Sequence, residues 1–258
     1  IVVGLFNSDN RISLGKIIDA LEAGGKGTIT VASACTMAGI VAGCITSTGL
    51  ASKLLRAIVS ASGGVMIIAL LLTMICCIVL GMGVPTTATY CIMAATCAPI
   101  LMSPEIGVEM LAAHFFVFYF GIVADITPPV ALAAYAGAAI AKAGPMKTAF
   151  NASRLAIAAF IVPYIIAMNP AMLFINTTIP EVVMITITSI IGIFGVAAGL
   201  SGFVFRNMKW WERILCIVGG LTLLVPGSLT DLIGLVLVGA VCVLGYQAAK
   251  KEKEVLVV

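Results

Sequence analysis

Charge is what this sequence lacks most: Asp, Glu, Lys and Arg together supply 10% of its 258 residues, against 62% hydrophobic ones. A soluble domain carries about 25% charged residues, so a water-facing surface cannot be built from this composition. Just one histidine is present, and no GxxxxGK[ST] loop, so nothing here forms a nucleotide site. A His/Glu metal set is missing too, as is a nucleophile with a partnered base, and enzymatic activity finds no support. The eight cysteines lie inside apolar runs without paired CxxC spacing, which excludes zinc and reads them as small hydrophobes. The net charge of +3 comes from loops and the tail, so it bears on membrane orientation and makes no case for nucleic acid.

What remains is apolar and long. No charged residue occurs from Gly27 to Ser52, Ala57 to Pro104, Leu155 to Pro180, Val182 to Phe205 or Leu232 to Ala249. A bilayer crossing needs about 20 apolar residues, so six to eight membrane segments in an all-α polytopic protein follow. The chain opens at Ile1 without a methionine and without the apolar core of a signal peptide, and is read as part of a longer polypeptide. Residues 1–26 read as a cytoplasmic connecting segment, 27–175 as a membrane domain, and 176–258 as an extension of about three membrane helices. Helices are expected near Thr28–Leu50, Leu155–Phe174 with a bend at Pro163, Glu181–Phe205, Ile214–Val225 and Leu232–Tyr246, the last capped by Asp231.

Two interruptions stand out. Within residues 64–102 the run Gly81-Met-Gly-Val-Pro-Thr-Thr-Ala-Thr89 concentrates helix breakers between apolar flanks. Either a loop joins two full spans there or a re-entrant hairpin turns inside the membrane; the absence of any charge favours the hairpin. Within 110–141, Ala124-Asp-Ile-Thr-Pro-Pro-Val130 removes two backbone donors and reads as a discontinuous helix. Such breaks are tolerated in lipid only where protein or a water-filled cavity satisfies the freed groups. In secondary transporters they place loose carbonyls and half-helix ends at mid-membrane, around a cation and an anionic substrate. Threonines also bond back to their own helices, and prolines make plain kinks, so each residue alone has a structural reading. Asp125 differs, because an acid inside a membrane segment is functional by default. His114, beside Phe115 and Phe116, reads as a packing or interfacial residue. Basic clusters at 142–154, 206–213 and 250–258 all fall on the cytoplasmic side if residues 64–102 enter and leave from outside, with Lys53 and Arg56 as exceptions.

Gly81-Met-Gly-Val-Pro-Thr-Thr-Ala-Thr89, Ala98-Pro-Ile100 and the run from His114 through Asp125-Ile-Thr-Pro-Pro129 to Gly137 closely resemble the large membrane subunit of TRAP (tripartite ATP-independent periplasmic) transporters. The fused-permease form is the most similar, over about residues 20–175. That resemblance implies half of an inverted-repeat elevator transporter in the bacterial inner membrane, taking up organic acids with sodium as coupling ion and no other cofactor. Implied partners are a periplasmic solute-binding protein and an upstream half of the same permease, including the small-subunit helices. Carried across, the hairpin tip comprises Gly81, Gly83, Pro85, Thr86, Thr87 and Thr89, and the broken helix Asp125, Thr127, Pro128 and Pro129. Their carbonyls and hydroxyls would supply an oxygen shell for Na⁺, a hard cation. A membrane scaffold and a channel are the competing functions.

Overall fold

The computed structural model describes residues 13–225 and 227–256. It is all-α, with one two-residue antiparallel pairing, Phe203–Val204 (β1) against Arg206–Asn207 (β2). Helix α1 (Leu14–Ser47) begins earlier than the apolar run suggests, because the Ser13 hydroxyl caps it by accepting from the Lys16 amide. Most of the expected connecting segment that lies within the described residues is therefore helical. At Gly49, in the left-handed conformation, the chain turns by 69° into the amphipathic α2 (Leu50–Ser62).

Four short helices follow and make the main core: α3 (Met66–Gly81), α4 (Thr86–Thr96), the single turn α5 (Ala98–Leu101) and α6 (Met110–Val123). Glu109 starts α6, its carboxylate accepting from the amides of Leu111 at 2.7 Å and Ala112 at 3.4 Å. Phe116 and Phe120 of α6 are fully buried, and both pack edge-on against Tyr164. At 1.5 Å per residue, the 16 residues of α3 reach about 24 Å, less than the roughly 30 Å of a hydrocarbon core.

Beyond the second break come α7 (Leu132–Ile140), α8 (Pro145–Leu155) and α9 (Ile157–Met168). Pro163 lies buried inside α9, while the 43° bend falls at Ala156 between α8 and α9. Ala156 leaves helical geometry (φ −88°, ψ 19°). Helix α9 also ends at Met168, short of Phe174, where Pro170 opens a 3₁₀ turn.

The extension is three helices, α10 (Ile179–Ser201), α11 (Trp210–Thr222) and α12 (Ser228–Leu256). Helix α11 starts at Trp210, ahead of the expected Ile214, because the buried Glu212 accepts from the Lys209 amide at 2.8 Å and pairs with Arg206. Asp231 is no N-cap: it sits inside the first turn of α12, its own amide bonded to the Gly227 carbonyl at 2.9 Å. Two helices, α10 and Leu229–Ala248 of α12, are long and apolar enough to cross a bilayer, and the two bent pairs raise that to four.

Arg154 from α8 and Arg213 from α11 both donate to the Leu200 carbonyl, at 2.7 and 3.0 Å. Arg154 and Arg213 thus meet at the carboxyl end of α10. Helices α10 and α11 meet backbone to backbone, as small residues allow in lipid. A Cβ on Gly220 would lie 2.6 Å from the Gly192 carbonyl oxygen, whereas one on Gly239 meets nothing within 4 Å. Gly220→Val is therefore expected to lower the melting temperature of the detergent-solubilised protein by about 2–10 °C, as overpacking costs roughly 1–3 kcal/mol, and Gly239→Ala to leave it unchanged.

Candidate functional site

The first break spans Met82 to Pro85. Gly83 takes φ +75°, a conformation that glycine adopts freely, and Pro85 then sets the entry into α4. Thr89, buried at the first turn of α4, donates its hydroxyl to the Val84 carbonyl at 3.1 Å and so ties the turn to the helix. Among the described residues the carbonyls of Met82 and Gly83 receive no hydrogen bond. On the other side, the first amides of α4, at Thr86 and Thr87, lie within the turn that lacks intrahelical acceptors. Gly83, Pro85, Thr86 and Thr87 are exposed, while Gly81 and Thr89 are buried.

The second break is stitched more tightly. Helix α6 ends at Val123, a 3₁₀ turn covers Ala124–Ile126, and the Pro128–Pro129 peptide is cis. Thr127 donates its hydroxyl to the Val123 carbonyl at 2.6 Å and its amide to Ala124 at 3.2 Å. Ser153 of α8 donates to the Ile126 carbonyl at 3.0 Å, and the Tyr135 hydroxyl to that of Pro129. The Asp125 carbonyl is different: its 3₁₀ partner would be residue 128 and its α-helical partner residue 129, and both are prolines. Asp125, Thr127 and Pro128 are half-buried, and Pro129 is exposed. The Asp125 carboxylate has no salt-bridge partner among the described residues.

These two interruptions lie against each other. A Cβ placed on Gly81 would be 3.0 Å from the Ala124 Cβ and 3.2 Å from the Gly121 carbonyl oxygen. One on Gly121 would be 3.1 Å from the Thr89 methyl. The end of α3, the start of α4 and the end of α6 therefore converge at a point where a side chain would be tightly crowded, with the Met93 side chain packed between them. Gly81, Thr89 and the neighbourhood of Asp125 are brought together as the sequence suggests. Three contributors escaped sequence reading. Gly121 gave a faint signal as the one glycine in an apolar helix, but Ser153 and Tyr135 belong to other elements and carried none. His114 plays its packing part, its Nδ1 3.0 Å from the Tyr90 hydroxyl.

No group of three or more His, Cys, Asp or Glu residues that could hold a metal occurs among the described residues, so an ion here would rest on backbone and hydroxyl oxygens. The Sγ atoms of Cys76 (α3) and Cys97 (after α4) are 3.8 Å apart, which reports how the two limbs sit. Copper-phenanthroline oxidation is expected to join them, read by non-reducing mass spectrometry of the denatured, digested protein as a Cys76–Cys97 linked peptide that Cys97→Ala abolishes. Recovery of both as free thiols would show that the limbs do not lie side by side.

Comparison with protein families gives two matches. Residues 1–182 match the family described as Tripartite ATP-independent periplasmic transporter, DctM component, and residues 182–237 match a domain of unknown function, DUF3394. Neither the curated proteins nor the solved structures give a significant match.

Proposed function

The chain belongs to the DctM component family of the tripartite ATP-independent periplasmic transporters, and from that premise we propose that it carries the ion and substrate site of a sodium-coupled permease for organic acids. It is an integral membrane protein and a permease component of a secondary transporter. The substrate would arrive on a periplasmic solute-binding protein, and the exposed face of Gly83 to Thr87 would be completed by the upstream half of the permease in the bacterial inner membrane. Residues 64–102 act as a re-entrant hairpin, since limbs of about 24 Å suit entry and exit from one side better than two crossings. Catalysis of a chemical reaction is no part of the role.

The observation that supports this reading is the contact of Gly81 with Gly121 and Ala124, which sets the helix ends that lead into the two breaks against each other. Freed carbonyls at Met82, Gly83 and Asp125, with the lone pairs of Thr89 and Thr127, form the hard-oxygen environment that Na⁺ prefers. The amides at the start of α4 present the positive end of a helix dipole to a carboxylate. Asp125 would add the one full negative charge near the cation. An elevator movement would carry hairpin and broken helix together, as their interlocked glycines require.

The experiment is uptake into vesicles carrying the full-length transporter, with its binding protein and an imposed sodium gradient. Thr127→Ala and Asp125→Asn are each expected to raise the sodium concentration for half-maximal uptake by roughly tenfold or more, since a lost contact to a charged group is worth about 1.5–3 kcal/mol. Unchanged uptake in both variants would point to a scaffold, and solute passage without the binding protein to a channel.

A further inference from the structure

The carboxyl end of α10 gathers more positive charge than its own carbonyls require. A helix C-terminus presents the equivalent of about half a negative charge. Arg213 already answers it, its Nε donating to the Gly199 carbonyl at 2.9 Å and its Nη2 to that of Leu200 at 3.0 Å. Arg154 nevertheless brings its own Nη2 to the same Leu200 oxygen, at 2.7 Å. Two full charges converge on one carbonyl, and neither has a carboxylate: among the described residues the salt bridges are Lys26–Glu22 and Arg206–Glu212. Like charges this close repel unless a counter-charge joins them.

A groove of about 600 Å³ opens beside this pair, where α8 and α9 meet at their bend opposite the last turns of α10. Asn151, Arg154 and Ser201 supply its polar lining, and Leu155, Ile157 and Phe194 much of its apolar wall. Along α10 it runs from Ser201 back to Phe194, about 10 Å at the helical rise. Leu155 is 88% exposed and Phe194 49%, so the wall is open to whatever surrounds the helices.

We propose that this groove holds an anionic phospholipid of the cytoplasmic leaflet, its phosphate on the Arg154–Arg213 pair and an acyl chain along Ile157 and Phe194. A free inorganic anion would leave the apolar wall unused. A zwitterionic lipid would bring an ammonium group towards two guanidiniums. Basic pockets between membrane helices at the cytoplasmic side bind acidic headgroups on these grounds, and the exposed Trp210 on the adjoining α11 sits at the same end, as an interfacial anchor would. The lipid would bridge α8, within the region matched by the transporter family, to α10 of the extension.

The test reconstitutes the full-length protein in an equimolar mixture of phosphatidylglycerol and phosphatidylethanolamine, extracts it in mild detergent and quantifies the retained lipids by mass spectrometry. Wild type is expected to retain phosphatidylglycerol in excess of the bulk ratio. Arg154→Gln should reduce that excess about fivefold, the effect of one interfacial charge, and Arg154→Lys should keep most of it. A wild-type ratio equal to the bulk, or an Arg154→Gln ratio equal to wild type, overturns the proposal. Should Arg154→Gln fail to fold, wild type and Arg154→Lys decide at low and high salt: enrichment that falls with salt supports the site, and enrichment indifferent to salt overturns it.

Discussion

In lipid, no water is present to satisfy a peptide group that leaves a helix, and the rest of this structure answers to that constraint. Two stretches leave helical geometry within the apolar core, and each is placed where protein can reach it. The second is bonded from outside by Ser153 and Tyr135. The first is tied by Thr89 and seated against Gly121 and Ala124. Glycines at 81 and 121 ease that seating, since a Cβ at either would press on its neighbours at 3.0–3.1 Å.

The extension obeys the same physics with other means. Gly192, Gly195 and Gly199 on α10 face α11, where Gly219 and Gly220 remove side chains from the interface with its neighbours. Glu212 is the one acid buried among the described residues, and it is accounted for twice, by Arg206 and by the Lys209 amide. Such pairing is what makes a buried charge tolerable. The three helices form a compact unit that leans on α9 through Ile161, Ile165, Val196 and Leu224.

Much of this was readable before any coordinates. Charge-free intervals announce membrane helices, and the breaks at 81–89 and 124–130 declare themselves through glycine and proline chemistry acting locally. Helix starts were less legible at two places, because Ser13 and Glu212 begin helices by capping ahead of the apolar runs. At the site, residue types were legible and their supports were not: Ser153 lies 27 residues from the carbonyl it serves, on a helix of unremarkable pattern. Long-range partners of that kind leave no trace in local composition.

Met93 has a consequence of its own. Its thioether fills the seam between Gly81 and Gly121, within 3.3 Å of where a side chain on either would begin. An unbranched chain with three rotatable bonds can change shape at little energetic expense. The seam is thus filled by a side chain that adapts its shape, so a displacement of one helix end against the other by fractions of an ångström leaves no cavity between them.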